Sequence, residues 1–257
     1  MRKARPLQAI IDPFVKSIDG ELVSDLISNR NPPKNADYLF RRYNVIAELK
    51  SLQSVFLESF YCKLAELMGD WDRRGLFRVY GRVTIGSSKL PPICREEMFA
   101  QMAGPLQNHV IATANKQIRT AKSLLNMPDA KGLLWVASDG NDLQPNEVWY
   151  LLCRVLQKRT ESGDPAYSSI NGIAYFNPRM PAQIPGMVEP TLFWFSGTRR
   201  PSEDRELQTC LHMLKRSWWP YVMSRNRIVI RDVDGKPEDV RFPGGMLKPA
   251  FIAINYK

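Results

Sequence analysis

The chain has 257 residues, 44% hydrophobic and 24% charged, with a formal net charge of +10. Those proportions suit one large domain with a sizeable core and argue against an intrinsically disordered chain. No stretch approaches the roughly eighteen apolar residues of a membrane span, and four scattered cysteines with two isolated histidines speak against a disulfide framework, a zinc ribbon or a histidine-based centre.

Asp12-Pro13 has the form of a helix start, aspartate capping and proline at the first helical position, and Val15, Ile18, Leu22 and Leu26 recur at helical spacing to Asn29. Gly20 is a possible break within that predicted helix. Glu21 and Asp25, four apart, share one of its faces. Tyr38-Leu39-Phe40 reads as a strand, Arg41 to Asn44 as a four-residue hairpin loop, and Val45-Ile46-Ala47 as the start of a strand buried on both faces. Glu48 and Lys50 then point to one side of that strand while Ala47 and Leu49 point to the other. Closing the loop with Phe40 opposite Val45 sets Asp37 opposite Glu48, two like charges about 5 Å apart at Cβ that call for a neutralising partner.

Further along, Ser54 to Gly69 is predicted helical and ends at glycine. Leu76 to Ile85 alternates, with Arg78 and Arg82 on its open face, where nucleic-acid contact and plain solvation are equally good readings. After a loop from Gly86 to Pro92, Gly104-Pro105 opens a predicted amphipathic helix to Met127 whose stripe leaves Lys116, Gln117, Arg119 and Lys122 off the apolar side. It leads into the apolar strand Gly132 to Ala137, so the unit reads as a crossover in a sheet that is partly parallel. Pro145 to Arg159 reads as a helix, Gly172 to Phe176 and Thr191 to Phe195 as strands. Glu203 to Met223 is helical in pattern until Pro220, and Arg227 to Arg231 with Pro249 to Ile254 read as a closing β-pair. Arginines and lysines, among them Arg199, Arg200, Arg205, Lys215 and Arg216, concentrate in the C-terminal third.

Asp37, then Glu48-Leu49-Lys50 on the following strand, resembles the PD-(D/E)xK nuclease superfamily, the restriction-endonuclease-like fold. The departure is Ala36, which stands where the family name has proline. The resemblance implies an α/β fold with a mixed β-sheet core flanked by helices over about residues 10–160, and additional C-terminal strands and a helix over about 161–257, all in one domain. It implies Asp37, Glu48 and Lys50 as catalytic residues, with Asp37, Glu48 and the Leu49 backbone carbonyl holding Mg2+, for which Mn2+ can substitute. Glu21 is a possible further carboxylate, and Gln117 a possible residue bordering the site, as in some relatives.

The expected function is metal-dependent hydrolysis of phosphodiester bonds in nucleic acid, DNA first. Arg78, Arg82, Lys116, Arg119 and Lys122 are candidate nucleic-acid contacts. Two alternatives stand beside it: a basic nucleic-acid-binding protein with this fold but no catalysis, and a structural or regulatory protein with an incidental hairpin. A homodimer or a partner protein is compatible with either. The unpaired cysteines suit a reducing, cytoplasmic setting, without a membrane partner.

Overall fold

The computed structural model describes residues 7–27, 33–52, 55–78, 90–138, 145–178 and 193–226. These form an α/β fold around a six-stranded mixed open sheet whose strands follow one another in chain order. The strands are β1 (Glu21–Leu22), β2 (Tyr38–Phe40), β3 (Val45–Leu52), β4 (Lys131–Ser138), β5 (Gly172–Phe176) and β6 (Trp194–Thr198). The pairs β1–β2, β2–β3 and β5–β6 are antiparallel, whereas β3, β4 and β5 run parallel.

Parallel neighbours need crossovers, and helices supply them. Between β3 and β4 run α3 (Val55–Arg73), α4 (Pro92–Pro105), a π-helical stretch (Leu106–Ile111) and α5 (Ala112–Leu124); α6 (Pro145–Leu156) joins β4 to β5. The parallel strands β3 to β5 are buried on both faces along most of their length, which is why they read as continuous apolar runs. One face carries Ile46, Leu134, Val136 and Tyr175 against α4, α5 and α6. The other carries Ala47, Trp135 and Phe176 against α1 (Gln8–Ser17) and α7 (Arg205–Asn226). There Phe14 packs edge-on against Trp218 at a centroid distance of 5.1 Å.

Several predicted boundaries are corrected. The helix predicted from Pro13 to Asn29 is instead α1, β1 and a single turn, α2 (Val23–Leu26). Asp19 turns with φ 59°, and at Gly20 a Cβ would lie 2.5 Å from Val15 Cγ1 and 2.9 Å from Phe40; the tight exit from α1 therefore demands glycine. Asp12 is no cap but accepts the Tyr38 hydroxyl at 2.8 Å, and Pro13 lies inside α1 on its exposed side. Helix α3 runs past Gly69 to Arg73; its stop is Gly75, at φ 65°. There the Leu76 and Gly75 amides return to the Trp71 and Asp72 carbonyls, a Schellman end.

Gly104-Pro105 does not open a helix either: helical structure is continuous from Pro92 to Leu124, with a π-helical stretch directly after Pro105. α6 stops at Leu156, β6 (Trp194–Thr198) extends past the predicted end at Phe195, with 191 and 192 outside the described residues, and α7 continues through the exposed Pro220 to Asn226. Leu76 to Arg78 are irregular, not the start of a strand. Residues 79–85, including Arg82, and both segments of the closing β-pair lie outside the described residues.

Candidate active site

The hairpin of β2 and β3 has the predicted register. Phe40 faces Val45, Leu39 faces Ile46 and Tyr38 faces Ala47. A short 3-10 turn (Arg41–Tyr43) reverses the chain, and Asn44 closes it in the left-handed region, which asparagine tolerates well. One step before β2, the Asp37 amide donates to the Ala47 carbonyl at 3.2 Å. Asp37 therefore stands beside Glu48, on the face of the sheet that α5 covers.

Four polar side chains meet there. Asp37 Oδ2 accepts the Leu49 amide at 2.8 Å. Lys50 Nζ lies 2.5 Å from Glu48 Oε1 and donates to Gln117 Oε1 at 2.7 Å. Gln117 Nε2 in turn donates to the Asn35 carbonyl at 3.1 Å, tying α5 to the chain entering the hairpin. The Leu49 N–H points toward β2, and in an extended strand the carbonyl of the same residue points to the same neighbour, so both flank Asp37.

Glu48 is the electrostatic anomaly. It is 2% exposed, and among the described residues nothing donates a hydrogen bond to its Oε2. Burial, and after it the charge of Asp37, pushes Glu48 up to about 8 despite Lys50. Burial also raises Asp37, although the Leu49 amide and Lys50 oppose it. The two carboxyl groups are within hydrogen-bonding reach of each other, and two carboxylates cannot bond without a proton. One arrangement satisfies every contact: Glu48 Oε2 carries a proton directed at Asp37, while Oε1 accepts from Lys50. A divalent cation between the carboxyl groups would replace that proton, and two buried oxygen ligands with an orphaned lone pair fit a hard cation. Among the described residues, however, no group of three or more His, Cys, Asp or Glu side chains converges as a metal-ligand cluster.

Glu21 is not brought to this site. It lies on β1 opposite Leu39 and is held by Arg41 through contacts of 2.9 and 3.1 Å, on the far side of Leu39 from Asp37. Asp25 pairs with Lys16. Nor do two helices flank the carboxylates: α5 covers them, and α1 packs on the opposite face. Arg78 is engaged by Asp72 at 2.6 Å. Lys116 and Arg119 are exposed on α5 without an ion pair among the described residues, next to Gln117 in the chain. Lys122 is half-buried, which lowers its proton affinity, as does nearby Lys131. The Leu49 amide and the Asn35 carbonyl are participants that side-chain motifs do not reveal; the Leu49 amide alone was reachable, through the hairpin register.

Comparisons with protein-family models, curated proteins and solved structures give no match to this chain. What the coordinates themselves define is an α/β molecule whose mixed sheet buries an acid–acid–lysine cluster beneath a crossover helix. Among the described residues no helix is long and apolar enough to cross a membrane.

Proposed function

We propose that the chain is a metal-dependent nuclease of the PD-(D/E)xK type, with a restriction-endonuclease-like domain that hydrolyses phosphodiester bonds, in DNA first. The observation that carries this reading is the buried contact of Asp37 with Glu48, whose Oε2 lacks a donor. Sustaining two opposed carboxyl groups in an apolar sheet is costly, and such costs concentrate at functional sites. Asp37, Glu48 and the Leu49 carbonyl would hold Mg2+ or Mn2+, which when bound supplies Lewis acidity and acidifies a water. Lys50 then orients the attacking water and offsets the charge that grows on the phosphate. Gln117 holds Lys50 in place from α5. Lys116 and Arg119, exposed on the same helix, would supply positive charge for the phosphate backbone.

The non-catalytic alternative accounts for the basic surface equally well but gives no reason for burying two carboxyl groups against each other in an apolar sheet. A cleavage assay on single-stranded and duplex DNA and on RNA, with Mg2+ and with EDTA, separates the two. Cleavage is expected with Mg2+ only, lost to background in Asp37→Ala and Glu48→Gln, and reduced roughly 10²–10³-fold in Lys50→Ala. Unchanged cleavage in Glu48→Gln would exclude this chemistry.

A further inference from the structure

A second site lies at the opposite end of the sheet. Between the C-terminal end of α6, the loop that follows it and the edge strand β6 is a cavity of about 400 Å³. It is on the sheet face of Glu48, because Glu48, Leu134, Ile173 and Gly197 form one cross-strand row. Three strand spacings put it roughly 14 Å from Glu48.

The floor is apolar, formed by Trp149, Ile170 and Ile173, with the Trp149 ring lying over Gly197, 3.9 Å from where a Cβ would stand. Its rim is cationic: Lys158, Arg159, Arg199 and Arg200 line it. Arg200 is neutralised by Glu203 at 2.9 Å. Among the described residues the other three have no carboxylate partner. Lys158 donates to Gln107, Arg159 to the Gly163 carbonyl at 2.6 Å, and Arg199 to the Leu156 carbonyl at 2.6 Å. Arg199 is half-buried with its Nε lacking any acceptor, and both burial and the charge of Arg159 disfavour its charged form. A guanidinium stays protonated nonetheless, so positive charge is stored here without a counter-charge among the described residues.

We propose that this cavity binds a nucleoside monophosphate unit, the base over the Trp149 floor and the phosphate against Arg199 and Arg159. Forked guanidinium donors match phosphate oxygens, and three uncompensated cations suit a dianion better than a carboxylate. The cavity is of a size for a small ligand with an apolar body, larger than an inorganic anion requires. A free nucleotide and the 5′-phosphorylated end of a strand both present this unit; the recognition chemistry is the same. This inference does not depend on the nuclease reading.

Calorimetric titrations without divalent metal test it, using adenosine 5′-monophosphate, adenosine, and one oligodeoxynucleotide with either a 5′-phosphate or a 5′-hydroxyl. The nucleotide is expected to bind at least tenfold more tightly than adenosine, and Arg199→Met to remove that preference. Arg159→Gln, at an exposed position, is expected to weaken nucleotide binding severalfold with unchanged thermal unfolding, so the outcome does not hang on how Arg199→Met folds. A tighter phosphorylated oligonucleotide identifies the strand end as the ligand, and equal oligonucleotides with a tight mononucleotide identify the free form. Absence of nucleotide binding at millimolar concentration, or binding indifferent to the phosphate or to Arg159→Gln, overturns the proposal.

Discussion

Glu48 sits at the point where burial, a like charge and a lysine compete for one carboxyl group. Burial and Asp37 win, so the folded protein holds the Glu48 proton more tightly than the unfolded chain, whose value is near 4.5. Folding therefore takes up a proton between those limits. Stability from this group is fully present below about pH 4.5 and is lost as pH rises through about 8. Glu48→Gln keeps an acceptor for Lys50 and offers Asp37 a permanent N–H donor. It is expected to flatten the decline and to be more stable than the parent at pH 8, by on the order of 2–4 kcal/mol. Urea denaturation at pH 5 and pH 8 without divalent ions checks this; parallel pH dependence in the two proteins would show that the acid pair is not proton-linked. On the proposed metal-binding reading, metal and proton compete for the same oxygens, so added Mg2+ should stabilise the parent more at pH 8 than at pH 5, and Glu48→Gln little at either.

Among the elements, β4 leaves little room for change, since it is paired on both sides and buried on both faces. A Cβ at Gly132 would meet the Ser169 carbonyl oxygen at 1.9 Å, and backbone held between neighbours cannot withdraw. Gly132→Ala is expected to cost about 3 kcal/mol or more, read as a lower urea midpoint, whereas Gly69→Ala, with open space around it, should be neutral or slightly stabilising. An equal effect at both positions would mean that Gly132 is not held as described. The same contrast explains which boundaries were legible. Gly20 and Gly75 terminate helices because a close approach or a positive φ requires them. Gly69 and Gly104 meet neither demand, and Pro13 and Pro220 sit on exposed helix sides where a gentle bend accommodates the ring. Residue type alone does not distinguish these cases.

For the molecule as a whole, the net charge of +10 sets the long-range field. Nucleic-acid binding, measured by fluorescence anisotropy with EDTA present, should weaken steeply with salt as counterions are released. Lys116→Ala and Arg119→Ala, at exposed positions of α5, should each lower the log–log salt slope by roughly one unit if they reach phosphates. A flat salt response would remove nucleic acid as the partner, leaving the basic surface without a role in the chemistry.

Read by itself, the chain determined the hairpin, its register, the shared face of Glu48 and Lys50 and the buried parallel strands. These follow from alternation, turn residues and apolar runs within a few neighbours along the backbone. Tertiary structure decided what depends on distant segments meeting. Lys50 and Gln117 are 67 residues apart, and only the crossover through α3, α4 and α5 brings them together on one face while α1 takes the other. Glu21 shows the reverse case: on the predicted helix it was a possible further carboxylate of the site, but a strand and Arg41 carry it away. The proton on the acid pair and the unpaired charge of Arg199 likewise come from burial and from the groups packed around them, which sequence spacing does not encode.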